Sequence, residues 1–318
     1  MLKNIGIIGV GGVGGYFGGK LCQSIRSRDD QQVIFVARGK HLRQIQSSGL
    51  RLVSEEGDFR CVPSIATDDF SSLPPLDMCL ICVKDFDLPG VLNSIRPAVT
   101  PDTVLLPLLN GVDVDVRVRQ AIPTSVVLPA CVYVGTHVRE PGTVVQNGGA
   151  CKILFGPDPQ RPDFDLQPIQ RLLGQASIRF EFRRDVQSEV WTKFIFICSF
   201  GLVSAAHDKT LGEILSNEVL LGQVEQVMHE AATVAFRSGV HLPTDVIESS
   251  LGKALTFPPT TKTSFQRDFE NGTKPDEREL FAGALIRLGR NLNVEVPRTQ
   301  AILDALSDQK PFPNPSDA

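Results

Sequence analysis

A short apolar run, Ile5-Gly6-Ile7-Ile8, leads directly into Gly9-Val10-Gly11-Gly12-Val13-Gly14. A G-x-G-x-x-G between a strand and the start of a helix admits few folds. Gly9 permits the tight turn, Gly11 lets the backbone come close to a pyrophosphate, and Gly14 lets helix and strand pack together, with Gly12 in the same turn. The helix start adds free N–H groups and a partial positive charge that favour phosphate oxygens. The motif therefore points to a bound dinucleotide, with these four glycines as candidate binding residues.

The segments that follow fit that reading. Ile5–Ile8, Val33–Val36, Met78–Val83 and Val104–Leu109 are continuous apolar runs, as expected of strands buried on both faces, and Gly14–Ile25 and Lys40–Ser47 are long enough for crossover helices. This pattern predicts an α/β fold with a Rossmann-type doubly wound parallel sheet. Later runs at Ser125–Val134, Gly142–Val145, Cys151–Phe155 and Ile178–Phe182 are expected to extend it with antiparallel strands.

In such a sheet the carboxyl ends of the strands share one edge, where ligands bind. Arg38 ends the second run, where an NAD-binding chain carries Asp or Glu for the ribose hydroxyl; Asp29 and Asp30 precede that run, at its wrong end. A guanidinium there suits a 2′-phosphate, and so NADPH. Lys84 and Asn110 follow the third and fourth runs. Gly9, Arg38, Lys84 and Asn110 are thus expected on one crevice.

The texture changes after Arg184, where strand patterns give way to helical spacing. Asp185 is placed to cap a long helix through Trp191 and Lys193, and Glu218–Ser238, Asp245–Leu255 and Glu277–Asn291 carry further helical patterns. We expect a dinucleotide-binding domain over 1–184 and a mostly α-helical C-terminal domain over 185–318, ending in a frayed Pro-rich tail. A net charge of −4 without a basic block argues against a nucleic-acid partner. The apolar stretch from Phe194 to Ala206 falls short of the roughly 20 residues that cross a bilayer, and no signal peptide is read at the start. Seven scattered cysteines fit a reducing, cytoplasmic compartment. Cys79 and Cys82 have the spacing of a metal pair, but strand residues three apart face opposite ways, so they read as buried and inert. The five histidines share no ligand spacing, and no metal site is read.

Reduction of a ketone by NADPH needs a group that polarises or protonates the carbonyl oxygen. Lys193, within Trp191-Thr192-Lys193-Phe194-Ile195-Phe196-Ile197, is the candidate, because a lysine in so apolar a run needs a purpose or a partner. The competing reading is an ordinary helical ion pair with Glu189, four residues earlier.

As an ordered set, the N-terminal glycine motif, Val36-Ala37-Arg38-Gly39, Cys82-Val83-Lys84-Asp85-Phe86-Asp87 and Leu108-Leu109-Asn110-Gly111 resemble the ketopantoate reductase family. Trp191-Thr192-Lys193-Phe194, Ser264-Phe265-Gln266-Arg267-Asp268, Glu277 and Gly283 continue the resemblance. It implies NADPH-dependent reduction of 2-dehydropantoate to pantoate, in pantothenate and coenzyme A synthesis. It also implies Lys193 as general acid, Glu277 as the carboxylate beside substrate and lysine, and Asn110 as the cleft asparagine. Ser264 becomes a substrate contact, and Arg38 and Lys84 the 2′-phosphate ligands. The chain departs from the family where asparagines usually stand: four and eight residues after the lysine are Ile197 and Gly201, and Ala282 precedes Gly283. The loop Asn271–Asp276 is one residue longer. Loss of hydrogen-bonding groups weakens selection for a substrate hydroxyl.

Three alternatives remain: the same reduction on another, more apolar 2-oxo acid; an NADPH-binding sensor without turnover; and a 6-phosphogluconate-dehydrogenase-like enzyme. The last does not account for Arg38, Lys84 and Trp191–Lys193 in this order. A small-molecule partner is expected and no membrane; a homodimer through apolar C-terminal helices stays open.

Overall fold

The computed structural model describes residues 2–25, 30–271 and 276–310. The Pro-rich end, Asp29 and most of the loop before Asp276 lie outside them. The chain divides into two compact units, Met1–Leu109 with Asp113–Val186, and Asn110–Val112 with Gln187–Ala318.

The first unit opens with β1 (Asn4–Ile8), α1 (Gly12–Ile25), β2 (Gln32–Val36) and α2 (Gly39–Ser48). A hairpin follows, β3 (Leu50–Ser54) and β4 (Gly57–Cys61), then β5 (Ile65–Thr67), β6 (Leu76–Ile81), α3 (Leu88–Ile95), β7 (Val99–Pro107), α4 (Val114–Ala121) and β8 (Val126–Val127). Six of these strands form one sheet in the order β5-β2-β1-β6-β7-β8, every neighbouring pair parallel. The central strand β1 is held in register on both sides, Ile5 opposite Val33 and opposite Met78. The chain builds outward from β1 first through β2 and β5, then through β6, β7 and β8. The turn after β1 therefore sits at the switch point, where a doubly wound sheet opens a crevice.

The later strands correct one expectation. Of the runs expected to extend the sheet as antiparallel strands, β8 joins it, but in parallel. The others instead enter two smaller sheets: with β9 (Ala130–Tyr133), β10 (Thr136–Glu140, which no expected run covers), β11 (Thr143–Gln146), β12 (Lys152–Phe155) and β13 (Arg179–Phe182), these are β10-β11-β3-β4 and β13-β12-β9. The reason lies in α1, which is buried on nearly all sides. A Cβ on Gly18 would press on Ile7 of the main sheet at 3.0 Å, and one on Gly15 would meet Val144 of β11 at 2.5 Å. A helix with glycine on two faces can be clamped between two sheets, and the hairpin β3–β4 supplies half of the second. Before β13, α5 (Gln167–Gln175) buries Ile169, Leu172 and Leu173 in the same core.

The second unit is helical among its described residues: α6 (Val186–His207), α7 (Leu211–Leu215), α8 (Glu218–Arg237), α9 (Val246–Ala254), α10 (Ser264–Glu270), a π-helical turn at Glu279–Gly283, α11 (Ala284–Leu292) and α12 (Pro297–Gln309). At 22 residues and a mean hydropathy of 1.4 over its most apolar window, α6 is long and apolar enough to cross a membrane, which the shorter stretch read from sequence was not. Most of that window, 72%, is buried inside the protein, as in the core helix of a globular fold. Its aromatic side chains bring other elements in: Trp191 packs edge-on against Phe194, Phe194 lies 6.2 Å from Phe281 of the π turn, and Phe281 lies 5.4 Å from Phe265 of α10.

Candidate active site

The glycine turn divides its labour as its geometry demands. Gly9 has a φ of 90°, in the left-handed region that favours glycine, and its N–H donates to Val36 O at 3.0 Å. A Cβ on Gly14 would sit 2.0 Å from Gly9 O, and one on Gly12 would sit 2.7 Å from Thr136 O, so both positions are closed by protein. A Cβ on Gly11 meets nothing within 4 Å. The turn therefore leaves open space beside Gly11, against the start of α1, where a phosphate would approach free N–H groups.

Arg38 occupies the N-cap position of α2, directly beyond β2, with 76% of its side chain exposed. Its Nη2 donates to Asp87 Oδ2 at 2.5 Å. Asp87 closes a single 3₁₀ turn, Asp85–Asp87, whose N-cap is Lys84, and its N–H donates to Lys84 O at 3.0 Å. The structure thus brings Arg38 and the Lys84 turn together at one sheet edge across the end of β1. Sequence reasoning missed the acids in this turn, although both lay inside the quoted segment. Asp85 is buried and accepts from Arg117 of α4 at 2.5 Å, and Asp113 stands 3.8 Å from the same guanidinium.

Asn110 lies three residues beyond β7 and belongs to the second unit. The Lys193 ammonium donates to its Oδ1 at 2.8 Å, a contact between residues 83 apart in the chain. Lys193 therefore has a specific polar partner other than the Glu189 weighed from helical spacing. One and two turns further along that face of α6 stand Ile197, half-buried, and Gly201, buried with Phe265 where a Cβ would be 3.6 Å from that ring. Ala282 is fully buried in the π turn. None of these three positions offers a polar side chain.

Glu277 is buried, at 4% exposure, two residues before the π turn, and Phe281 N–H donates to its carbonyl at 3.1 Å. The neighbouring Arg278, fully buried, fixes this backbone by donating to Asp276 Oδ1 at 2.9 Å and to the carbonyls of Leu306 and Lys310 at 3.3 and 2.7 Å. Nothing in the sequence pattern marks this buried arginine. Ser264 is the exposed first residue of α10, whose N-cap Thr263 accepts from Gln266 N–H. Cys79 and Cys82 carry free thiols, both pushed well above the usual range by burial. Among the described residues no cluster of three or more His, Cys, Asp or Glu side chains could hold a metal.

Comparison with known proteins finds relatives along nearly the whole chain. Residues 5–160 match the family described as ketopantoate reductase PanE/ApbA, and residues 185–310 match its C-terminal counterpart. A 2-dehydropantoate 2-reductase of Mesorhizobium japonicum is 28% identical over 94% of this chain and 95% of its own. An uncharacterized oxidoreductase of Bacillus subtilis, YkpB, is 23% identical over 93% of this chain and 95% of its own. Among solved structures, a PanE/ApbA family ketopantoate reductase from Ralstonia eutropha JMP134 superposes with a TM-score of 0.86 at 27% identity, covering 96% of this chain and 99% of that one. The chain belongs to the ketopantoate reductase family of NADPH-dependent oxidoreductases.

Proposed function

We propose that the chain reduces 2-dehydropantoate to pantoate with NADPH, a cytoplasmic step toward pantothenate and coenzyme A. The observation that carries this reading is the Lys193–Asn110 hydrogen bond. It fixes the direction of the ammonium through a neutral carboxamide, and an oriented ammonium is what an oxygen that gains electrons requires.

The N-terminal unit fits the cofactor. Gly11 leaves space for the pyrophosphate, and Arg38 and Lys84 offer two cations to the 2′-phosphate. Bound NADPH supplies the hydride. The remaining work falls to this chain's own side chains. Lys193 donates a hydrogen bond to the substrate's carbonyl oxygen as negative charge builds there, then gives it the proton that completes the 2-hydroxy acid. Asn110 orients the ammonium and offers its amide N–H groups to the substrate. Glu277 takes the place of the carboxylate beside substrate and lysine, and Ser264 that of a further substrate contact. On this reading 1–184 holds the cofactor, and 185–318, joined by Asn110, holds the substrate. Assembly as a homodimer is also proposed, and light scattering of the purified protein tests it.

NADPH oxidation in the presence of 2-dehydropantoate, set beside its analogue without the hydroxyl, tests the reading. Turnover of 2-dehydropantoate with clear preference over the analogue is expected. Preference for the analogue, or for another 2-oxo acid, would replace it with the second reading, a reductase of a more apolar oxo acid, which Ile197, Gly201 against Phe265, and Ala282 favour. NADPH binding without oxidation by any oxo acid would leave a sensor.

A further inference from the structure

We propose that Asp87 sets the margin by which this site prefers NADPH over NADH, by competing with the cofactor's 2′-phosphate for the Arg38 guanidinium. The inference rests on the reading of Arg38 and Lys84 as the 2′-phosphate ligands and adds a carboxylate that opposes them.

Three observations carry it. Asp87 holds Arg38 through one nitrogen at 2.5 Å, while the guanidinium is otherwise open to solvent. The backbone of Asp87 is tied into the same single 3₁₀ turn that begins at Lys84, its N–H donating to Lys84 O, so the acid is held close to that lysine. Its side chain is only 24% exposed, which limits how far water can screen it. A 2′-phosphate seated between Arg38 and Lys84 would bring a charge of roughly −1.5 to −2 beside this carboxylate. Binding must then break the Arg38–Asp87 pair and leave the two anions as neighbours. NADH meets no such opposition. Its ribose 2′-hydroxyl can donate to a carboxylate, the contact that an acid at the end of β2 supplies in NAD-binding sheets. Here β2 ends in Arg38 and the acid arrives from the turn after β6. Asp87 thus weakens NADPH and tolerates NADH, narrowing a preference that Arg38 creates.

The experiment measures dissociation constants for NADPH and NADH by fluorescence titration in low and high salt. It uses the full-length wild type, Asp87→Asn, Asp87→Ala, Arg38→Ala and the double variant Asp87→Asn/Arg38→Ala, with adenosine 2′,5′-bisphosphate and AMP as fragment probes. Asp87→Asn is expected to tighten NADPH and the bisphosphate by about five- to tenfold at low salt, with a smaller gain at high salt, and to leave NADH and AMP unchanged or slightly weaker. In the Arg38→Ala background the Asp87→Asn gain should shrink, because the contested guanidinium is gone. Should Arg38→Ala weaken NADPH selectively while both Asp87 variants leave it unchanged or weaken it, the cofactor site stands and the competition is refuted, Asp87 then being a bystander or a brace for Arg38. Should Arg38→Ala change neither cofactor, the assignment of the 2′-phosphate site fails, and this proposal with it.

Discussion

A hydrogen bond from an ammonium to a neutral amide orients the ammonium without cancelling its charge. Lys193 in this arrangement predicts a split between chemistry and binding. Lys193→Ala should lower turnover by about 10²–10⁴-fold, the usual worth of a general acid, while NADPH affinity stays within a few-fold. Asn110→Ala should lower turnover less, since the ammonium remains but loses its aim. Steady-state rates alongside NADPH titrations decide it, and near-wild-type turnover in Lys193→Ala would remove the catalytic role. A second expectation concerns His41, whose Nδ1 accepts the Gly142 N–H at 3.0 Å and whose pKa burial lowers from the ordinary 6.5. Protonation would set an N–H against an N–H. The unfolded chain binds this proton more readily, so the stability is complete above pH 6.5 and falls as the pH drops from there toward the lower folded value. Urea midpoints at pH 7.5 and 5.5 should show that loss, and His41→Gln should flatten it; an unchanged slope in His41→Gln would assign the effect to other groups. At this scale the sequence reveals residues whose chemistry is out of place. Lys193 stands out in an apolar run, whereas Glu277 and Ser264 are ordinary helix-start residues that no local pattern distinguishes.

The turn joining β1 to α1 shows how one motif holds positions with opposite tolerances. Gly14 is closed by the carbonyl of Gly9, so Gly14→Ala must push helix and strand apart and should destabilise the fold even without ligand. Gly11 faces open space, so Gly11→Val should fold with a near-normal urea midpoint yet lose dinucleotide binding, its side chain filling the pyrophosphate's approach. Titration and denaturation of the two variants separate these roles; a folded Gly11→Val protein that binds NADPH normally would overturn the cofactor-site assignment. In the main sheet the three-residue, half-buried β5 escaped notice, whereas β1, β2, β6 and β7 were legible because burial on both faces leaves continuous apolar runs, as in Met78-Cys79-Leu80-Ile81. The β3–β4 hairpin was not. Its clues, alternation at Leu50 and Leu52 and the turn at Gly57, are short, and their meaning depends on a helix with glycine on two faces that needs a second sheet.

At the scale of the molecule, the change of period near residue 184 makes the two-part plan legible, since strand and crossover patterns give way to helical spacing. The sequence gives no hint that Asn110–Val112, embedded among strands, packs with the helical unit. That division bears on how ligand should affect stability. A ligand that binds the folded protein alone stabilises it by mass action, by about 2.7 kcal/mol at a hundredfold excess over its dissociation constant. The glycine turn, Arg38 and Lys84 all lie in the first unit, so the proposed cofactor site predicts that the stabilisation originates there. For a unit of this size each kcal/mol moves the midpoint by roughly 2–4 °C, so NADPH should raise the melting temperature by about 5–10 °C. Hydrogen exchange should slow in β1, α1 and β2, whose backbones surround the turn. Gly11→Val should melt at the wild-type temperature without ligand and show no shift with NADPH, whereas Arg38→Ala should lose most of the NADPH shift and keep the NADH shift. A full NADPH shift in Gly11→Val, or protection confined to α8–α12, would place the dinucleotide elsewhere in the chain.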